Sequence, residues 1–124
     1  GERYMAWIST SEVQPIDRLY HARGPYKMVN GLRVAASWDA LIAGPLENPI
    51  NVSELSETVV GPVFTGTLPN GERVMDSTHC DDWTDGGGDN FGWYGASVAT
   101  NGDWTAAHKS ICGGHAGLYC FEQP

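Results

Sequence analysis

Positive charge is scarce in this chain. Seven Lys and Arg stand against fifteen Asp and Glu, giving a formal net charge of −8 at pH 7 with His neutral. Nucleic-acid binding draws mainly on cations that neutralise phosphates, so this balance excludes a broad nucleic-acid face. It also disfavours anionic membranes and sulfated polysaccharides. One local group, Arg18, Arg23, Lys27 and Arg33, reads as solvated charge balancing nearby carboxylates. Long apolar runs are missing too: none approaches the roughly 20 residues of a membrane-spanning helix, and no transmembrane segment is expected. No window of about 15 residues keeps a clean 3.6-residue apolar period, which argues against long amphipathic helices. Gly1-Glu2-Arg3 leads directly into the strand-like Tyr4-Met5-Ala6-Trp7-Ile8 with no secretory leader. An exported form is expected to have lost its targeting segment or to carry it in a longer parent chain.

Cysteine is sparse. Cys80, Cys112 and Cys120 offer no Cys-x-x-Cys pair and no matching His pair, so a structural zinc site is not expected. Disulfides are the better reading, and the odd count leaves one thiol with a partner outside the chain, free, or paired between molecules.

What is abundant is small and aromatic. Sixteen glycines, seven prolines and five tryptophans in 124 residues indicate short elements joined by tight turns, in one irregular α+β domain over 1–124. The expected order begins with a strand over Tyr4–Ser9 and a helical turn around Ile16–His21. A hairpin then turns on Asn30-Gly31, between Tyr26–Val29 and Leu32–Ala35. Ser37 caps a helix over Trp38–Ala43 that Gly44-Pro45 stops. Residues 45–62 read as a loop, within which Asn51-Val52-Ser53 is formally a glycosylation acceptor in a eukaryotic secretory pathway. Strands follow over Val63–Thr67 and Gly117–Phe121, with a turn at Pro69-Asn70-Gly71. Between them, Asp76 to Asp103 is acidic and glycine-rich and reads as loop.

The C-terminal half carries a recognisable layout: Thr78-His79-Cys80-Asp81-Asp82-Trp83, then Ser110-Ile111-Cys112, then Leu118-Tyr119-Cys120-Phe121-Glu122. This resembles the final two-thirds of a C-type-lectin-like domain. Met5-Ala6-Trp7-Ile8-Ser9-Thr10, Asp17-Arg18-Leu19, Val29-Asn30-Gly31, Ser37-Trp38-Asp39-Ala40-Leu41, Val63-Phe64-Thr65-Gly66 and Pro69-Asn70-Gly71 extend the likeness over nearly the whole chain. In their joint order they are similar to endostatin-like domains, found at the C-terminus of certain basement-membrane collagens and in bacterial surface proteins. The resemblance implies a small twisted antiparallel sheet with one or two short helices and long ordered loops. It pairs Cys80 with Cys112, and Cys120 with a cysteine upstream of Gly1, so that the chain is the C-terminal part of something longer. It also implies a secreted or cell-surface, non-catalytic module for adhesion, recognition or assembly. Its partner would be an extracellular protein or glycan, or further copies joined through Cys120 into a surface polymer.

The resemblance further implies a place to look for contact, the long stretch from residue 81 to 104. There Phe91, Trp93, Tyr94 and Trp104 are the candidate binding residues, since aromatic side chains bring large buried area at low entropy cost; the alternative for Phe91, Trp93 and Tyr94 is that they cover the core. Trp7, Trp38 and Trp83 are expected in the core. A C-type lectin's calcium and sugar site needs carboxylates just before the penultimate cysteine, where this chain has His108-Lys109-Ser110-Ile111, so that site is absent. A different calcium site is conceivable: Asp81, Asp82, Asp85 and Asp89, with Asn90, crowd a loop that Gly86-Gly87-Gly88 lets fold back on itself. It supports the alternative of a calcium-dependent glycan binder; otherwise no cofactor is expected. Zinc does not carry over, because the N-terminal histidine cluster of endostatin is missing. Of His21, His79, His108 and His115, only His79 sits beside a cysteine and an aspartate. Sequence neighbours on a strand point to opposite faces, and a disulfide-bonded Cys80 is no nucleophile, so an enzyme is not expected.

Overall fold

The computed structural model describes residues 3–53, 55–74, 80–83, 91–112 and 116–123. Its elements are short, as the glycine and proline content dictates: β1 (Arg3–Ala6), α1 (Pro15–Arg18), β2 (Tyr26–Lys27), β3 (Arg33–Ala35), α2 (Trp38–Ala43), β4 (Pro62–Phe64), α3 (Cys80–Trp83), β5 (Phe91–Ala96), α4 (Asp103–Ala106), β6 (His108–Ile111) and β7 (Cys120–Gln123). The architecture is α+β, with small antiparallel sheets. β1 pairs with β7, β2 with β3, and β4, β5 and β6 form a three-stranded sheet in that order. No helix among the described residues is long and apolar enough to cross a membrane.

Local chemistry explains several of these boundaries. Ser37 accepts a hydrogen bond from the Ala40 amide and so starts α2, and Gly44 at φ +58° ends it, as the sequence indicates. The β2–β3 hairpin differs from its expected form. The Met28 amide bonds Leu32 O and the Gly31 amide bonds Met28 O, so three residues, 29–31, make the loop. Gly31, at φ +89°, takes the left-handed position that such a loop requires. α1 begins at Pro15, whose ring fixes a helical φ and whose missing N–H costs nothing at a first turn. The expected loop over 45–62 contains an antiparallel bridge between Val52 and Thr58, and β4 starts at its last residue.

The core gathers around Trp7, which is fully buried. Its ring lies 4.9 Å from Trp104, 5.7 Å from Phe121 and 5.8 Å from Trp38, centroid to centroid. Leu41, Val34, Val63 and Tyr119 belong to the same cluster, with Leu19, Met28, Ala35 and Leu46. Through this core also runs a line of buried hydroxyls. Trp7 Nε1 donates to Thr105 Oγ1 at 2.8 Å, and the Thr105 hydroxyl donates to Thr67 O at 2.8 Å. The Thr67 hydroxyl donates to Thr65 O, and the Thr65 hydroxyl to Thr105 O. With its own proton committed, Thr67 Oγ1 must accept from Ser9 Oγ, 2.7 Å away. Each buried hydroxyl therefore has a partner, as burial of polar groups demands.

These bonds answer a question that α4 raises. A four-residue helix leaves its last carbonyls without intrahelical donors. Here Tyr119 donates its phenol proton to Trp104 O at 2.7 Å, and Thr65 serves Thr105 O. Desolvation by burial pushes the Tyr119 phenol well above the ordinary tyrosine range. The backbone of α4 lies so close to β5 that a Cβ built on Gly95 would stand 2.0 Å from Trp104 O. Only glycine fits there.

Candidate functional site

The stretch from 81 to 104 is not one loop. β5 occupies Phe91–Ala96 and pairs on one side with β4, Phe64 opposite Tyr94, and on the other with β6, Phe91 opposite Ile111 and Trp93 opposite Lys109. Side chains alternate across a strand, so Phe91 and Trp93 share one face with Ile111 and Lys109, while Gly92 and Tyr94 share the other with Ser110 and His108.

This alternation sorts the aromatic candidates. Phe91 is 47 % exposed and Trp93 partly buried. Tyr94 and Trp104, at 4 % and 1 % exposed, both belong to the interior: for Tyr94 this is the core-covering alternative, and for Trp104 it corrects the placement among the candidate contact residues. Tyr94 stacks on Phe64 at 4.9 Å, faces His108 at 5.6 Å, and donates its hydroxyl to Ile111 O at 2.8 Å. Burial raises its phenol pKa, with a hydrogen bond to Ser110 working the other way. Trp104 sits under Trp7, where α4 holds it. Sequence reasoning missed Ile111 and Lys109, both exposed on β6. The one signal for them is the i, i+2 spacing of Phe91 and Trp93, which suits one face of a strand whose partner must present the same face.

On that face Phe91 and Ile111 stand directly opposite each other, 47 % and 49 % exposed. The Lys109 ammonium lies 5.9 Å from the centre of the Phe91 ring, in cation–π range. The indole N–H of Trp93 is buried and has no hydrogen-bond partner among the described residues. The opposite face is closed. Cys80 and Cys112 are disulfide-bonded across 32 positions, joining α3 to the residue after β6. A Cβ on Gly92 would lie 2.7 Å from Cys80 Sγ and 3.0 Å from the Trp83 ring, so this glycine admits both. Trp83 packs on Phe64 at 5.2 Å and donates Nε1 to Ser9 O at 2.7 Å, tying α3 to the segment after β1. One face of the sheet is thus cross-linked to the body, and the other is left open at its Phe91 end.

The remaining candidates fall elsewhere. Asp81 and Asp82 belong to α3, with their side chains outside the described residues; Asp85, Asp89 and Asn90 lie outside them entirely, as do His79 and His115. Among the described residues no group of three or more His, Cys, Asp or Glu converges on a point that could hold a metal ion. His21 stacks flat on Trp38 at 4.1 Å, with Nε2 bonded to Ile16 O. Cys80, in its disulfide, offers no thiolate. Arg33 of the small basic group is paired with Glu47 at 2.9 Å. Trp7 and Trp38 are core, as expected, and Trp83 is partly buried. A shallow cleft of about 330 Å³ runs between Ala43-Gly44-Pro45, Pro69 and Asn101-Gly102 over an edge of Trp104, and its lining carries no titratable side chain.

No protein-family model matches the chain, and no curated protein matches it.

Proposed function

We propose that the chain is a non-catalytic recognition module of an extracellular or cell-surface protein, built as a C-type-lectin-like, endostatin-like domain. It meets a protein or glycan partner through the open face of β5 and β6. One observation carries the reading: Phe91 and Ile111 stand side by side, each about half exposed, on a sheet whose other face is cross-linked to the body by Cys80–Cys112. Exposed apolar neighbours on a rigid support suit binding, because little entropy is lost when they are covered. The disulfide fits an oxidising compartment. Short helices and small antiparallel sheets are consistent with such a fold.

The test is a glycan array and a panel of immobilised extracellular-matrix proteins, probed with the labelled wild-type domain and with the Phe91→Ala/Ile111→Ala double variant. Binding to at least one probe should fall by roughly tenfold or more in the variant, with melting unchanged. Equal binding by the two proteins would refute the assignment of this face.

A further inference from the structure

The direction of the backbone groups in β6 follows from bonds elsewhere in the sheet. The Phe64 amide bonds Gly117 O, and the Gly117 amide bonds Pro62 O, so Val63 turns its own N–H and C=O towards β5. The Thr65 amide bonds Trp93 O, which fixes Trp93 as facing β4. Backbone groups alternate along a strand, so Gly92 and Tyr94 face β6; the bond from the Ala107 amide to Tyr94 O agrees. Their partners Ser110 and His108 face back towards β5, and Lys109 and Ile111 face out. Ile111 O accepts from the Tyr94 hydroxyl. The outward Lys109 N–H, Lys109 C=O and Ile111 N–H have no backbone partner among the described residues.

The geometry points to β6 as an acceptor edge: an extended, aliphatic-rich peptide segment of another protein adds to it as a further strand, with a carboxylate opposite Lys109 and an aliphatic side chain opposite Ile111. This rests on the recognition reading above and names its partner class. The backbone groups supply the affinity common to strand addition, and the side chains on the open face supply selectivity. Lys109 has no ion-pair partner among the described residues, so its ammonium is available to a carboxylate. On the open face Ile111 would stand beside a side chain of the added strand, with Phe91 one strand further in. A second copy is a poorer occupant. Two molecules of net charge −8 repel, and neither β6 strand holds a carboxylate to meet the other's Lys109.

The probes are short, capped, fluorescent peptides alternating valine and threonine, with aspartate at the centre, and a version N-methylated at alternate amides. Fluorescence anisotropy is read to about 1 mM peptide. The aspartate peptide should saturate. N-methylation, which removes the donor to Lys109 C=O and sets methyl groups against the edge of β6, should weaken it by roughly tenfold or more. Because that comparison uses the wild-type domain, no variant has to fold. In Lys109→Glu the preference should turn to a peptide with central lysine. Hydrogen exchange should show new protection at the Lys109 and Ile111 amides. Equal binding of the N-methylated peptide, or no binding of any peptide, would overturn strand addition. If Phe91→Ala/Ile111→Ala still abolishes binding on the glycan or matrix panel, the recognition reading survives that result; if both experiments fail, both fall.

Discussion

The indole N–H of Trp7 donates to the hydroxyl of Thr105 across 98 positions of chain, in a place where neither group meets solvent. Thr105 also donates to Thr67 O, so one hydroxyl serves an orphan donor on one side and a carbonyl on the other. Thr105→Val keeps the shape and removes both bonds. It should destabilise by roughly 2–4 kcal/mol, since two buried groups lose their partner. Thr105→Ser keeps the hydroxyl and loses about one buried methyl, near 1 kcal/mol. Urea unfolding orders the two variants, and a serine variant weaker than the valine one would contradict the network.

Gly95 allows α4 to touch β5. Gly95→Ala brings a Cβ to 2.0 Å from Trp104 O, and backbone on both sides cannot yield cheaply. We expect a loss of about 3 kcal/mol or more, or a failure to fold. Gly24→Ala is the control: a Cβ there meets nothing within 4 Å, so its melting point should change little, within about 0.5 kcal/mol.

Reduction of Cys80–Cys112 should cost roughly 3–4 kcal/mol for a closed segment of this length. A Cys80→Ala/Cys112→Ala variant should show the same loss in urea and no further sensitivity to reductant. Intact mass after alkylation without reductant should show at most one modified thiol; three would contradict the pairing.

Tyr119, Tyr94 and Tyr26 are each held protonated by burial, with phenol pKa values raised above the ordinary tyrosine value. The unfolded chain ionises first as pH rises. The corresponding stability is therefore complete below about pH 10 and is lost as pH climbs above it. Urea midpoints from pH 8 upward should be flat and then fall, and Tyr119→Phe should make the alkaline fall shallower. A fall of equal steepness would remove Tyr119 from this account.

How much of this was legible in the sequence depended on which signals were local. The start and stop of α2 at Ser37 and Gly44 were, because capping is a contact between near neighbours. The hairpin before it is legible in place but not in turn length, since Asn30-Gly31 does not reveal that Val29 belongs to the loop. β5 reads as loop in the sequence because its glycines look like breakers; they are there for Cys80, Trp83 and Trp104, which come close only after folding. β6, polar at three of its four positions, is an edge strand and lacks the apolar alternation that announces an inner one. Tyr94, beside Gly95, suits the core and a contact surface equally well in the sequence, and Trp104, between Asp103 and Thr105, carries no local sign of its burial. Ser9, Thr65, Thr67 and Thr105 gave no sign of their shared interior, because small hydroxyls are as common outside as in.

β1 and β7 lie antiparallel with Arg3 opposite Gln123. A force drawing those two ends apart would load that rung first and then pass inwards to Ala6 and Cys120, parting the ladder one bond at a time as a zip opens. The tether Cys80–Cys112 lies off this line, so tension would peel the terminal strands away while the sheet of β4, β5 and β6 stayed laced to α3.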